Sequence, residues 1–376
     1  MTGWRSAASA LALAAAACTV QPSPVPTPPA SSSVTASATP VAAATLGPRL
    51  PRKQLSLGNV GEFDAGTLRS ASIRINGQTI YWSGDLAEAP NTGVINGYSI
   101  TEGRSRTVYR APNGRAVQNL QVSATWFAWF EFADRFRALD TQVFAMPRAG
   151  GAPILVDDAR SHGELALLQD LTLSGDDLYW TIPEIVAGTW RGRLAHVRLP
   201  SLVADHPLPV LSGAIYGWPH ASNGNLTVEQ MRQNQRPTSV VLFGTPSVSL
   251  PFAPASEPAV AGDFIAFKAA ERFTAGRLGL YFIRSNRIVE LGPGESPSVN
   301  SRYVTWFAGQ PEDNEIHVAD SLKLCVATIT RNGSRNDELE YSPAIGDRYV
   351  AWLYVDGRPA EARAVIRFAS LPEALC

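Results

Sequence analysis

A short pattern of residues recurs seven times along this chain of 376 residues, and it limits the possible folds more than any other feature. It is clearest near the C-terminus, in EPAVAGDFIAF (257–267), SPSVNSRYVTW (296–306) and SPAIGDRYVAW (342–352). Each copy has an apolar residue, then a short polar turn, then alternating apolar residues that end in an aromatic. The seven copies, of which the fourth is degenerate, end at Trp82, Trp129, Trp180, Val228, Phe267, Trp306 and Trp352.

Each copy predicts a β-hairpin. Alternation such as Tyr303-Val304-Thr305-Trp306 places every second side chain on one face of a strand, and Gly-Asp or Asn-Gly supplies a tight turn. Further strand-like segments follow each hairpin, for example Gln142–Pro147 and Ile154–Val156, so each unit holds about four strands. The copies recur about every 40–50 residues, and repeat units of that length with four strands are typical of propeller blades. The sequence predicts an all-β, seven-bladed β-propeller, with six or eight blades as alternatives.

The two ends of the chain should close the ring. The last copy offers three strands, at Ala344–Ile345, Tyr349–Tyr354 and Ala364–Ala369, and lacks a fourth. Gln54–Val60 precedes the first copy and has strand character. We expect this segment to supply the outer strand of the last blade.

The aromatic residues that end the copies are expected to be structural. A lone hairpin cannot bury its apolar face, whereas blades stacked around a ring can. The repeat resembles that of bacterial TolB-like and WD40-like propellers over about residues 70–370, although the Ser-Pro-Asp-Gly form of many TolB repeats is absent. This resemblance implies a propeller fold and no particular function.

The N-terminus predicts export. Residues 1–18 read as a signal peptide, with Arg5 ahead of an apolar run (7–17) that is too short to span a membrane. Cys18 follows three alanines and resembles the lipid-modified cysteine of a bacterial lipobox, although Ala15 stands where a leucine is usual. An ordinary signal-peptidase site in the same run is the alternative.

A spacer and the propeller should follow the signal. Residues 19–48 carry no charge and seven prolines, which predicts a disordered tether without a binding role of its own. Residues 49–376 form the predicted propeller. We therefore expect an exported cell-envelope lipoprotein, anchored to the membrane through lipid, or otherwise a secreted protein.

Charge and cysteine content narrow the partners further. The formal net charge is −1, which argues against a nucleic-acid binder that works by counterion release. Once the signal is removed, Cys325 and Cys376 lie near each other in the predicted ring. In an oxidising compartment they could form a disulfide, and the alternative is two unpaired thiols.

No catalytic motif is visible. The five histidines lack metal-ligand spacing, and neither a Gly-x-Ser-x-Gly elbow nor a Walker loop occurs. In propellers of this kind the first strand of each unit is innermost, so residues at its start should line the central channel. They are Ser72, Arg74, Asn119, Gln121, Asp170, Thr172, Trp218, His220, Glu257, Ser296, Ser298 and Ser342.

Five of these positions form the predicted ligand site at the channel mouth: Asp170, His220, Glu257, Asn119 and Trp218. Two carboxylates near one imidazole would raise the pKa of His220. No cofactor is predicted, although a divalent cation could bind in the channel. A water-filled channel that binds nothing specific is the alternative.

The sequence favours a binding function over a catalytic one. We expect a monomeric, envelope-anchored propeller that binds or scaffolds a protein, peptide or glycan. The alternative is a secreted lyase or hydrolase with its site at the same channel mouth.

Overall fold

The computed structural model describes residues 46–375 with short gaps. The gaps are residues 56, 58–59, 67–71, 86–91, 134–139, 163–167, 187–188, 203–210, 213, 233–234, 244–246, 272–273, 311–312, 332–337, 357–362 and 374. The predicted signal peptide, Cys18 and nearly all of the predicted tether lie outside the described residues. In the part of the chain that is described, no helix is long and apolar enough to cross a membrane.

The described residues form 29 strands and one short 3₁₀ helix at Ala159–His162. The strands are β1 (Arg52–Gln54), β2 (Val60–Gly66), β3 (Ile73–Asn76), β4 (Thr79–Asp85), β5 (Gly93–Ser99), β6 (Arg104–Arg110), β7 (Ala116–Val122), β8 (Trp126–Phe132), β9 (Gln142–Pro147), β10 (Ile154–Asp158), β11 (Gln169–Ser174), β12 (Asp177–Val186), β13 (Thr189–Arg198), β14 (Leu211–Ser212), β15 (Ala214–Ser222), β16 (Asn225–Arg232), β17 (Gln235–Phe243), β18 (Val248–Ser249), β19 (Ser256–Ala261), β20 (Phe264–Lys268), β21 (Arg277–Phe282), β22 (Arg287–Pro293), β23 (Glu295–Val299), β24 (Tyr303–Gln310), β25 (Asp313–Asp320), β26 (Cys325–Arg331), β27 (Glu338–Ile345), β28 (Tyr349–Asp356) and β29 (Arg363–Ser370).

The strands form seven sheets, which confirms the predicted seven-bladed propeller. Six blades contain four consecutive strands each, beginning with β3–β6 and ending with β23–β26, and all neighbours within these four are antiparallel. The degenerate fourth copy forms a complete blade, β15–β18. The alternatives of six or eight blades are therefore excluded.

The N-terminal segment closes the ring, but at a different place from the one expected. β2 (Val60–Gly66) pairs antiparallel with β29 and completes the seventh blade, whereas β1 adds to the sixth blade in parallel beside β26. The expectation that Gln54–Val60 is the closing strand is wrong by several residues. Phe63 accounts for the pairing of β2 with β29, since its ring centroid lies 5.0 Å from that of Trp82 and 6.2 Å from that of Phe368.

The apolar cores lie between neighbouring blades. One core joins Phe264 and Leu280 of the fifth blade to Val304 and Trp306 of the sixth. The indole N–H groups of three repeat tryptophans also donate to the outermost strand of the preceding blade: Trp82 to Ala65 O at 3.3 Å, Trp180 to Asp157 Oδ2 at 2.7 Å, and Trp306 to Pro293 O at 3.1 Å. These tryptophans therefore hold blades together, as the repeat predicts.

The C-terminus packs against the sixth and seventh blades. Leu375 is fully buried in a cluster with Ala327 of β26 and Trp352 of β28. Cys325, the first residue of β26, is disulfide-bonded. Cys18 and Cys376 lie outside the described residues, so the pairing of Cys325 with Cys376 stays a prediction.

Candidate functional site

The first strands of the blades meet around a central channel. A cavity of about 680 Å³ lies at this point and is lined by residues of β3, β7, β11, β15, β23 and β27 together with the residues next to them. Its polar lining residues are Ser72, Arg74, Gln118, Asn119, Gln121, Asp170, Thr172, Trp218, His220, Ser222, Ser296, Ser298 and Ser342. The cavity therefore offers mostly neutral amides and hydroxyls.

The backbone kinks at the same repeat position in six of the seven first strands. We name this set the mouth ring: Ser72, Asn119, Asp170, Trp218, Glu257, Ser296 and Ser342. All of its members except Ser72 have a positive φ, between 46° and 53°, and the pairing with the next strand shifts register there. A positive φ is unfavourable for residues such as Trp and Glu, so the surrounding fold must impose it.

Two carboxylates of the mouth ring bind the backbone of the following blade. Asp170 Oδ2 accepts the N–H of Trp218 at 2.9 Å, and Glu257 Oε2 accepts the N–H of Ser296 at 2.8 Å. The other oxygen of Glu257 forms an ion pair with Lys268, whose side chain is fully buried. Both acids therefore join neighbouring blades.

The residues two places further along each first strand form a second ring. Its members are Arg74, Gln121, Thr172, His220, Ala259, Ser298 and Ala344. Thr172 Oγ1 accepts the N–H of Ala221 at 3.0 Å, and His220 Nδ1 accepts the N–H of Val260 at 3.2 Å. This ring thus supplies a second set of hydrogen bonds between blades.

His220 is a neutral hydrogen-bond donor. Because Nδ1 accepts from a backbone amide, the proton of the neutral ring lies on Nε2. Burial and the positive charge of Arg74 lower the pKa of His220 to about 4. The expectation that neighbouring carboxylates raise this pKa is wrong, since the nearby charge is a cation.

Arg74 is the cation of the channel. Its Nη1 donates to Ile73 O at 2.8 Å and its Nε to Gln121 Oε1 at 3.3 Å, while Gln121 Nε2 donates to Asn119 Oδ1 at 2.8 Å. Within the described ranges no carboxylate forms an ion pair with Arg74. Burial lowers its pKa to about 10, so the guanidinium stays charged at neutral pH.

Sequence reasoning placed Arg74 on the channel but did not select it. The sequence could have singled it out. Among the seven second-ring residues, Arg74 alone has a side chain that is always positively charged at neutral pH. What the sequence did not show is that no carboxylate of the described residues forms an ion pair with this charge.

Four of the five predicted site residues line the cavity: Asn119, Asp170, Trp218 and His220. Glu257 does not line it and is only 5% exposed, facing Lys268. Among the described residues no group of three or more His, Cys, Asp or Glu side chains is arranged so that it could hold a metal ion. The divalent cation stays an expectation that nothing in the structure tests.

Comparison with known proteins finds likeness in fold only. No family model matches the chain, and neither does any curated protein, so the resemblance to TolB-like propellers stays a prediction. Among solved structures, the β-propeller domain of the Trilobed protease from Pyrococcus furiosus has a TM-score of 0.55 and 9% identity, over 81% of this chain and 98% of that one.

Two enzymes also resemble this propeller. Oligogalacturonate lyase from Vibrio parahaemolyticus has a TM-score of 0.56 and 11% identity, over 86% of this chain and 99% of that one. Pyrococcus horikoshii acylaminoacyl peptidase has a TM-score of 0.55 and 8% identity over 81% of this chain, which spans only 52% of the peptidase. At these identities the comparisons show the propeller fold alone.

Proposed function

We propose that this protein is a binding propeller whose ligand site is the mouth of the central channel. The observation that carries the proposal is the cavity of about 680 Å³, lined from six blades by amides, hydroxyls, one indole, one imidazole, one carboxylate and one guanidinium. Its size falls within the range of small-molecule sites. The ligand is a small polar molecule or the end of a larger one, such as a glycan or peptide.

The state of His220 favours binding over catalysis. A lyase or hydrolase needs a general base with a free lone pair, and the Nδ1 lone pair of His220 already accepts the N–H of Val260. Asp170, the one carboxylate that lines the cavity, accepts the N–H of Trp218. Both side chains are therefore already used in hydrogen bonds between neighbouring blades.

A channel enzyme is the second candidate. Oligogalacturonate lyase and two peptidases are among the proteins with similar propellers. An imidazole and a guanidinium that share one channel are the feature of this chain that favours it. Catalysis would require His220 to release the Val260 N–H and expose Nδ1.

We also propose that the propeller acts outside the cytoplasm, on a tether at the envelope. The support is the sequence of residues 1–48, and the propeller strands begin at Arg52, just beyond that segment. If Cys18 carries lipid, Cys18→Ser releases the protein from the membrane fraction and leaves the fold unchanged. Membrane retention of that variant would contradict the anchor.

The channel site is tested by blocking it. Ser298 lines the cavity, so Ser298→Trp places a large side chain in it, whereas Leu322→Trp adds the same group at a turn that is 75% exposed. Calorimetry with short oligosaccharides and peptides should show binding to the wild type and to Leu322→Trp, and none to Ser298→Trp. Equal binding by both variants would place the site elsewhere, and turnover of a bound oligomer would support the enzyme instead.

The same assay tests the expected cation. Ca²⁺, Mg²⁺ and Mn²⁺ are titrated into the wild type and into a variant with Asp170→Asn and Glu257→Gln. Heat that disappears in the variant, while its melting curve shows that it is still folded, would support a cation at the mouth ring, and no heat with the wild type would contradict it.

A further inference from the structure

We infer that the channel ligand carries a carboxylate group, bound by the Arg74 guanidinium with the Nε2–H of His220 as a second donor. This inference rests on the proposed channel-binding function and names the chemistry of its ligand. It is carried by an arginine that lines the channel and forms no ion pair with any carboxylate of the described residues.

The guanidinium of Arg74 is placed to bind an anion. Of its nitrogens, Nη1 and Nε bind Ile73 O and the amide oxygen of Gln121, and both of these acceptors are neutral. Arg74 is half-buried, and a charge that is partly removed from water is normally paired, because it loses part of its hydration. Here no carboxylate of the described residues supplies the pairing, and the guanidinium lines an open cavity.

His220 approaches the same space from the other side of the ring. Arg74 lies in the first blade and His220 in the fourth, and both side chains line the same cavity. Since Nδ1 is taken by Val260, the only N–H that the ring can offer a ligand is Nε2–H. No described residue accepts a hydrogen bond from that nitrogen.

The charges favour one carboxylate over a phosphate. Arg74 supplies a single positive charge and His220 is neutral, so together they match a monoanion. The planar fork of a guanidinium also fits a carboxylate with two parallel hydrogen bonds. Asp170 is the one carboxylate that lines the cavity, and it would repel further negative charge on its side.

The rest of the ligand should be polar and uncharged. The lining beyond Arg74 consists largely of amides and hydroxyls, including Gln118, Asn119, Ser296 and Ser342. Two sources of such a ligand share this chemistry, a sugar acid and the C-terminus of a peptide. The experiment therefore uses a matched pair of probes for each source.

The probes are galacturonate with its neutral methyl ester, and N-acetyl-trialanine with its neutral amide, so that each acid carries one negative charge and each partner carries none. Each is titrated into the full-length protein by calorimetry. We expect the acid of at least one pair to bind more tightly than its neutral partner by about tenfold, a difference typical of one charge-assisted interaction. The pair that shows the difference identifies the source of the carboxylate.

Substitution of Arg74 assigns the effect to this residue. Arg74→Met should abolish the preference for the acid and leave the weaker binding of the neutral probe, and Arg74→Lys should keep part of the preference. Arg106→Met is the matched control, because Arg106 is exposed on β6, away from the lining residues. Melting temperatures show which variants are folded, and the probe pairs on the wild type decide the question even if Arg74→Met is not.

The outcomes separate the inference from the function on which it rests. Binding of acid and neutral probes with equal affinity, or a preference that survives in Arg74→Met, would overturn the carboxylate and leave the channel site standing. No binding of any of the four probes would overturn both.

Discussion

The carboxylate of Asp170 accepts a hydrogen bond of 2.9 Å from the backbone N–H of Trp218, the residue at the same repeat position in the next blade. Glu257 repeats the arrangement with Ser296 at 2.8 Å. A positive φ at these positions takes the amide out of the regular strand pairing, and the acid of the preceding blade satisfies it. The mouth ring is thus held together by the carboxylates that the sequence assigned to a ligand.

Replacing Asp170 should therefore weaken the fold. We expect Asp170→Ala to lower the free energy of unfolding by about 1–2 kcal/mol, because the half-buried N–H of Trp218 loses its acceptor. Asp170→Asn keeps an oxygen acceptor for the Trp218 N–H and should lose much less. Urea denaturation measures both, with Ser296→Ala as a control in the same ring. Equal stability of all three variants would contradict the structural role of the carboxylate.

Substitution of Glu257 should lower the stability further than substitution of Asp170, because Glu257 also neutralises the charge of Lys268. The Lys268 side chain is fully buried, and Glu257→Gln leaves its charge without a counterion. We expect a loss of about 3–5 kcal/mol, as for other broken buried ion pairs. The double variant Glu257→Gln with Lys268→Met removes both charges, so it should be more stable than Glu257→Gln alone. The single variant Lys268→Met completes the comparison. If the two losses simply add, the residues are not coupled.

The repeat predicts the fold because each blade is encoded locally. Even the weak fourth copy keeps its apolar spacing at Ala221, Leu226 and Val228, and all three residues are buried between blades. Tight turns and period-two alternation are properties of a few consecutive residues, so the sequence alone shows them.

Ring closure is different, because it depends on contacts between distant residues. The sequence predicts Gln54–Val60 as the closing strand, whereas Val60–Gly66 is the segment that pairs with β29. Phe63 of this strand packs against Trp82 of the first blade and Phe368 of the seventh. No local pattern contains those partners.

The chemistry of the site is predicted only in part, for the same reason. Repeat position places Asp170 and His220 at the channel, where the structure finds them. Their hydrogen-bond partners, Trp218 and Val260, lie in the following blades, and the charge that acts on His220 comes from Arg74, three blades away. Protonation states therefore required the structure.

Truncation of a tryptophan that packs between blades should lower the free energy of unfolding by a large amount. Trp306 is fully buried and its Nε1 donates to Pro293 O. We expect Trp306→Ala to lower the free energy of unfolding by about 3–5 kcal/mol, the usual cost of truncating a large buried aromatic. Trp306→Phe keeps most of the packing and should lose less. A loss under about 1 kcal/mol for the alanine variant would contradict the role of Trp306 in the core.

The disulfide of Cys325 should connect the sixth blade to the C-terminus. Leu375 is buried beside β26, which brings the end of the chain near Cys325. We predict Cys376 as the partner and expect its loss to cost about 4 kcal/mol, since the bridge would close a loop of roughly 50 residues. Peptide mapping without reductant identifies the linked peptides. A Cys376 thiol that reacts freely with iodoacetamide would refute the pairing.

His220 should make stability depend on pH. Its folded pKa is about 4, against about 6.5 when unfolded, so between these values the unfolded chain binds more protons than the folded one. The contribution of the neutral imidazole is complete above about pH 7 and is lost as the pH falls towards 4. Burial and two arginines lower the pKa of His317 to about 3, so His317 adds to the same slope.

Comparison with His220→Gln isolates the His220 contribution, because glutamine keeps an acceptor for the Val260 N–H and does not titrate. We expect urea midpoints to fall from pH 7 to pH 5 in the wild type, and to fall less steeply in His220→Gln. Arg74→Met should give an intermediate slope, since removing the cation lets the pKa of His220 rise towards its ordinary value. NMR titration of the imidazole provides a direct measurement. Parallel pH profiles for the wild type and His220→Gln, or a folded pKa near 6.5, would show that the imidazole is not buried beside a positive charge.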